Sequence, residues 1–178
     1  MRTLILALAL IFVWLSPVGN PAEAGGTEMP DIPHKTQVDE NTLIGGPPDQ
    51  EQLREARDAG IRTVVDLRGV SEYGDWQPSD VVTSLGMLYI PIPVAGADGL
   101  TRPAIEAFDR AIAAAGDQPA LYHCASGNRV GAMFALRSHL IEGAGLEESL
   151  RIGREHGLTG LEDQVREMIE SGRIPDGR

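Results

Sequence analysis

The sequence predicts an α/β fold, a mostly parallel central sheet flanked by helices with a helical C-terminal end, and three observations carry that prediction. Short apolar or β-branched runs at 62–67, 88–90 and 120–122 alternate with stretches of helical period. Cap and stop residues punctuate those stretches at the expected places. The last of the runs leads directly into a loop that opens a further helix, which is where open parallel sheets hold their ligands.

In chain order, Thr42-Leu43-Ile44 reads as a short strand closed by Gly45-Gly46-Pro47-Pro48, after which Asp49 caps a helix that stops at Gly60. A strand at 62–67 follows, then a loop with Gly69, Gly74 and Pro78, a helix at 79–84 and a strand at 88–90. Thr101 caps a helix carrying Ile105, Phe108 and Ile112 at helical spacing, and 120–122 forms the strand that ends in His123-Cys124. Beyond Arg129 an apolar stripe from Val130 to Ile141 marks a core helix, with two more helices at 146–156 and 161–171.

Ahead of this domain, assigned to 41–178, the chain has two segments of another kind. Residues 1–24 carry Arg2, an apolar run from Leu4 to Leu15, and small residues at Ala22 and Ala24, the order of a secretory signal peptide. That run is shorter than the roughly 20 residues a membrane-spanning helix needs, so no stable membrane anchor is expected. Cleavage near Ala24 implies a secreted or periplasmic protein. Residues 25–40 lack an apolar period and hold two prolines, which reads as a lead-in that is flexible or orders only on contact.

The formal charge of −11 argues against a nucleic-acid partner, because such binding needs a basic footprint. Cys124 is the single cysteine, so no intramolecular disulfide forms, and no second thiol is available for a zinc site. His34, His139 and His156 are widely spaced, and neither a metal nor a cofactor is inferred.

Cys124 sits where a strand ends and a helix begins. The turn Ala125-Ser126-Gly127-Asn128 has a glycine to bend it, and its amides can converge on an anion at the helix start. Arg129 adds a cationic fork suited to phosphate or sulfate oxygens, and the same groups favour a thiolate on Cys124. His123 either supports the loop or is a packed strand residue, and Ser126 either bonds the sulfur or its own backbone. Arg68 and Glu72 read as a structural ion pair or as braces of the loop, and Asn128 as a residue that orients it.

The opening Leu43-Ile44-Gly45-Gly46-Pro47-Pro48, the strand Thr63-Val64-Val65-Asp66-Leu67-Arg68, the segment Leu88-Tyr89-Ile90-Pro91-Ile92-Pro93 and the His-Cys loop together resemble the dual-specificity branch of the protein tyrosine phosphatase superfamily. The resemblance is greatest to the phosphatase-like domain of beta-lactamase-hydrolase-like proteins. It implies a phosphomonoester as substrate, Cys124 as nucleophile, Ala125 to Arg129 as the phosphate cradle, and a general acid on the loop after residue 93. Asp98 fills that place, with a solvated turn aspartate as the alternative, and Asp66 is the next candidate. Two features depart from the superfamily: four residues instead of five separate Cys124 from Arg129, and Val130 replaces the usual hydroxyl residue. The short loop is similar to that of rhodanese-type sulfurtransferases. Phosphate ester hydrolysis, sulfur transfer through a Cys124 persulfide, and anion binding without catalysis all stay open, in that order. Export of a reactive thiol also points to a thiol reductant as a partner.

Overall fold

The computed structural model describes residues 28–177, so the expected signal peptide lies outside the described residues. Within them the elements run β1 (Thr36–Gln37), β2 (Thr42–Gly45), α1 (Gln50–Asp58), β3 (Thr63–Asp66), α2 (Pro78–Ser84), β4 (Leu88–Pro91), α3 (Arg102–Ala115), β5 (Ala120–His123), α4 (Asn128–Leu140), α5 (Leu146–Glu155) and α6 (Glu162–Ser171). A short 3₁₀ turn, Val70–Glu72, interrupts the loop after β3. The sheet order is β1-β2-β5-β3-β4, with β2, β5, β3 and β4 parallel and β1 antiparallel on the edge. This is the mostly parallel α/β architecture that the alternation of strands and helices predicts.

Local chemistry sets the helix ends. Asp49 and Gln52 satisfy each other's backbone amides, Gln52 N donating to Asp49 Oδ1 at 2.8 Å and Asp49 N to Gln52 Oε1 at 2.9 Å, so α1 starts with a reciprocal cap. Thr101 Oγ1 accepts from Ala104 N at 3.4 Å and starts α3.

Alternate residues of each strand face opposite layers. Leu43, Val64 and Leu121 pack with Leu53 and Ala56 of α1 and Val82 of α2. Ile44, Val65 and Tyr122 pack with Phe108 of α3, Met133 and Leu136 of α4, Leu150 of α5 and Val165 of α6. Cys124 continues the second row and belongs to that larger core. The expected stripe on α4 is wider than a stripe: Arg129, Gly131, Ala132, Ala135 and Ser138 are buried as well. The cause is that α3, α5 and α6 all pack on α4.

From residue 28 on, the lead-in packs against the domain. Ile32 is buried, Gly46 N donates to the Pro33 carbonyl at 2.6 Å, and Thr36 and Gln37 pair with Ile44 and Leu43. The sequence reading missed β1 because two residues carry no periodicity. Its pairing with β2 covers one sheet edge that otherwise has free amides.

Candidate active site

β5 lies between β2 and β3, and its carboxyl end delivers Cys124 to the centre of the sheet's upper rim. Cys124 N donates to Gly45 O at 3.3 Å, and Leu67 N to His123 O at 2.9 Å, so both neighbouring strands hold the last ladder rung before the loop. The turn then folds back on the sulfur. Gly127 adopts φ +82°, a left-handed conformation that a side chain would resist, and its N–H donates to Cys124 Sγ at 3.1 Å. An amide at the N-terminus of α4 therefore points at the sulfur.

Arg129 occupies the first turn of α4 and is largely buried. Its Nη1 donates to Leu67 O at 3.3 Å, to Val94 O at 2.7 Å and to Glu72 Oε1 at 2.8 Å, and its Nη2 donates to Glu72 Oε2 at 2.5 Å. The Glu72 carboxylate thus grips the guanidinium in a two-point fork. It raises the Arg129 pKa, with burial opposing and the charge of Cys124 adding; reciprocally, the Arg129 hydrogen bond holds the Glu72 carboxyl below its usual range. Arg68 and Glu72 do not form the ion pair with each other that their spacing allowed. Each is a brace: Glu72 holds Arg129, while Arg68 pairs with Asp66, its Nε and Nη2 donating to Oδ1 and Oδ2 at 3.0 and 2.9 Å.

Asp66 is fully buried and also accepts from Arg68 N at 2.9 Å and from the Tyr89 hydroxyl at 3.0 Å, which in turn contacts the Tyr73 hydroxyl at 3.0 Å. With every acceptor engaged it is a structural group. His123, paired with Asp66 across the β3–β5 ladder, lies with Nε2 at 3.6 Å from Asp66 Oδ2. Burial pushes its pKa down to about 4, and the Asp66 charge offsets only part of that. His123 is therefore a neutral packed residue beneath the loop at neutral pH, and its Nδ1 has no hydrogen-bond partner among the described residues. Burial likewise raises the Tyr89 hydroxyl, with the Tyr73 hydrogen bond and Asp66 adding to it.

A cavity of about 350 Å³ lies over the sulfur, lined by Glu72, Gly96, Cys124, Ser126, Asn128, Arg129 and Leu161. The structure thus brings together Cys124, Ser126, Asn128 and Arg129, with the Gly127 amide beneath them. Ala125 is exposed and its carbonyl lies against Gly46. Asn128 also faces outward from the loop: its Oδ1 accepts from Thr159 N at 2.9 Å and Leu161 N at 3.3 Å, tying the segment between α5 and α6 to the Cys124 turn. Asp98 is not brought to the sulfur. It is exposed and lines a neighbouring cavity of about 660 Å³ with Pro93, Thr101 and Asp176, while the residue of its turn that faces Cys124 is Gly96.

Sequence reasoning did not foresee Leu161, which lies 37 positions from the cysteine and carries no local signal. Glu72 was named from the sequence only as a partner of Arg68 or a brace of the loop, and its partner is Arg129. Among the described residues no group of three or more His, Cys, Asp or Glu side chains could hold a metal ion, and no helix is long and apolar enough to cross a membrane.

Comparison with known proteins bears on the fold and the family. Beta-lactamase hydrolase-like proteins of two Xylella fastidiosa strains are 29% and 30% identical over 148 and 126 residues, covering 77% and 68% of this chain. The chain spans about a third of the length of these curated relatives, 33% and 28% respectively. A putative phosphatase from Shewanella putrefaciens superposes with a TM-score of 0.59 at 20% identity, covering 81% of this chain and 95% of that one. One from Neisseria meningitidis gives 0.60 at 22% identity, covering 78% and 97%. At such identities these two likenesses speak for the fold. The family model described as a DSP-PTPase phosphatase fused to NAD+ kinase matches residues 25–167, and the chain belongs to that phosphatase family.

Proposed function

We propose that this chain is an exported, cysteine-dependent phosphoric monoester hydrolase. The observation that carries the reading is the convergence of the Cys124 sulfur, the Gly127 amide 3.1 Å from it and the Arg129 guanidinium on one cavity. In this reaction the Cys124 thiolate attacks phosphorus, the P–O bond to the alcohol breaks, and a phosphocysteine forms. Arg129 and the amides from Ala125 to Asn128 hold the equatorial oxygens as charge builds. Water then cleaves the S–P bond, with the Ser126 hydroxyl as a polar anchor for it inside the cavity.

The leaving alcohol needs a proton. Glu72 is a poor donor, because its ion pair with Arg129 keeps it ionised. Asp98 is the proposed acid, reaching the leaving oxygen when the turn from Gly96 to Gly99 reorients, since Gly96 already faces the cavity. Replacing Asp98 by Asn then slows alkyl phosphates far more than phosphates of acidic phenols, whose leaving groups need little protonation. A thiol reductant belongs to the proposal, because an exported thiolate oxidises readily.

Sulfur transfer is the second reading. It is favoured by the four-residue loop and by a cavity whose only carboxylate among the described residues is already paired. Here Cys124 takes the outer sulfur of thiosulfate, sulfite leaves, and a nucleophile such as cyanide removes the sulfur as thiocyanate. Parallel assays of the protein and its Cys124→Ser variant on an aryl phosphate and on thiosulfate with cyanide decide between them. Cys124-dependent phosphate release supports the hydrolase. Thiocyanate without phosphate release refutes it in favour of sulfur transfer, and silence in both assays leaves anion binding.

A further inference from the structure

Leu161 is the one aliphatic side chain among the described residues lining the Cys124 cavity, and Arg129 is the one cation. From these two facts, and resting on the hydrolase reading, we infer that the segment 157–161 is a specificity wall. It selects phosphomonoesters whose alcohol is uncharged and apolar next to the phosphoryl group, and it turns away polyanions.

Leu161 owes its place to the nucleophile turn itself. Thr159 N and Leu161 N both donate to Asn128 Oδ1, and Asn128 directly precedes Arg129. Behind this pair the backbones of α4 and the α5–α6 segment meet without side chains between them. A Cβ on Gly131 would lie 2.1 Å from Leu158 N and 2.7 Å from Gly153 O, so only glycine permits the approach. Leu158 is buried in the main core, and Arg154 clamps Glu162 through two hydrogen bonds, Nε to Oε2 at 2.8 Å and Nη2 to Oε1 at 2.5 Å. The wall is thus fixed to the catalytic loop through Asn128 and to α5 through Glu162, and the side chain it presents lines the same cavity as the sulfur.

Charge points the same way. The guanidinium that receives the first phosphate is already held by Glu72, so the formal charges lining the cavity cancel before an ionised Cys124 is counted. A second or third phosphate on the substrate would meet no further cation among the lining residues. The cost of bringing it near the Glu72 carboxylate is not offset, whereas an apolar group against Leu161 loses only its hydration.

The test uses two esters of primary alcohols, benzyl phosphate and glycerol 1-phosphate, with myo-inositol hexakisphosphate as the polyanion. The protein should favour benzyl over glycerol phosphate in kcat/KM by about tenfold or more, as one apolar contact in a pocket allows. Leu161→Ala should bring that ratio close to one, mainly through KM, and Leu161→Met should restore it. An unchanged ratio in Leu161→Ala, or faster release from the inositol phosphate than from benzyl phosphate, overturns the inference. If no ester yields phosphate, the hydrolase reading fails and the wall is decided separately by sulfur loading of Cys124, read by mass. Benzenethiosulfonate, which loses benzenesulfinate, and thiosulfate, which loses sulfite, are then compared. A Leu161→Ala loss confined to the benzene donor sustains the wall, and equal losses on both donors remove it.

Discussion

His123 makes the stability of this fold depend on pH in a way whose size follows from its burial. The imidazole is buried under the Cys124 loop with a pKa lowered from 6.5 to about 4. For a base so depressed, the unfolded chain binds the proton that the folded chain refuses, and stability therefore rises with pH between those two values. Above about pH 6.5 the contribution is fully present; it is lost as the pH falls toward 4. Linkage over that interval gives about 2 kcal/mol lost between pH 7 and pH 5, most of it below pH 6. Carboxylates add to any acid loss, so the comparison is between the protein and a His123→Gln variant, each unfolded in urea at half-unit steps of pH. The variant starts from its own lower baseline, because it perturbs the contact with Asp66, but the slope is what matters. The parent should lose about 2 kcal/mol more than the variant across pH 7 to 5, a difference of roughly 4–8 °C in Tm for a domain of this size. Parallel curves for the two proteins would refute the claim that His123 is buried neutral beside Asp66.

Three other changes probe separate parts of the structure. Glu72→Gln keeps the shape of the carboxylate but removes its charge, and it should lower stability by about 1–3 kcal/mol in urea titration while weakening vanadate binding, because Arg129 loses its fixed fork. Ile32→Ala, by equilibrium unfolding, should cost about 2–5 kcal/mol, the loss expected for a buried side chain and not for a tethered lead-in. Gly131→Ala adds one methyl where 2.1 Å is available, so it should shift the α5–α6 segment, destabilise by more than the usual 1–3 kcal/mol of overpacking and lower Tm accordingly.

The parallel sheet and the helix order were legible because the parallel strands are short apolar runs and because capping side chains, Asp49 and Thr101, mark the starts of α1 and α3. The cysteine loop was legible for the same local reason: strand, turn glycine and arginine are contiguous. What the sequence hid is what depends on the sheet order. The β5 strand inserts between β2 and β3, and only that insertion puts Glu72 on Arg129 and Asp66 on His123. Leu161 reaches the cavity through a hydrogen bond made by the backbone of Leu161 itself, which no side-chain pattern announces. Asp98 shows the converse: the loop was placed correctly from its position after β4, but the rotation of a glycine-bounded turn decides which residue faces the sulfur, and it is Gly96.

Arg129 donates to the carbonyls of Leu67 and Val94, which lie just beyond β3 and β4, while standing in the first turn of the helix that follows β5. The guanidinium is therefore a keystone across three strand ends before it is ever a ligand for phosphate. A descendant of this chain that had given up chemistry would still be selected to keep that arginine, whereas nothing in the architecture demands a sulfur at position 124 over another small side chain. Under the hydrolase proposal, the arginine would therefore carry no information in sorting active from inert relatives, and the cysteine nearly all of it.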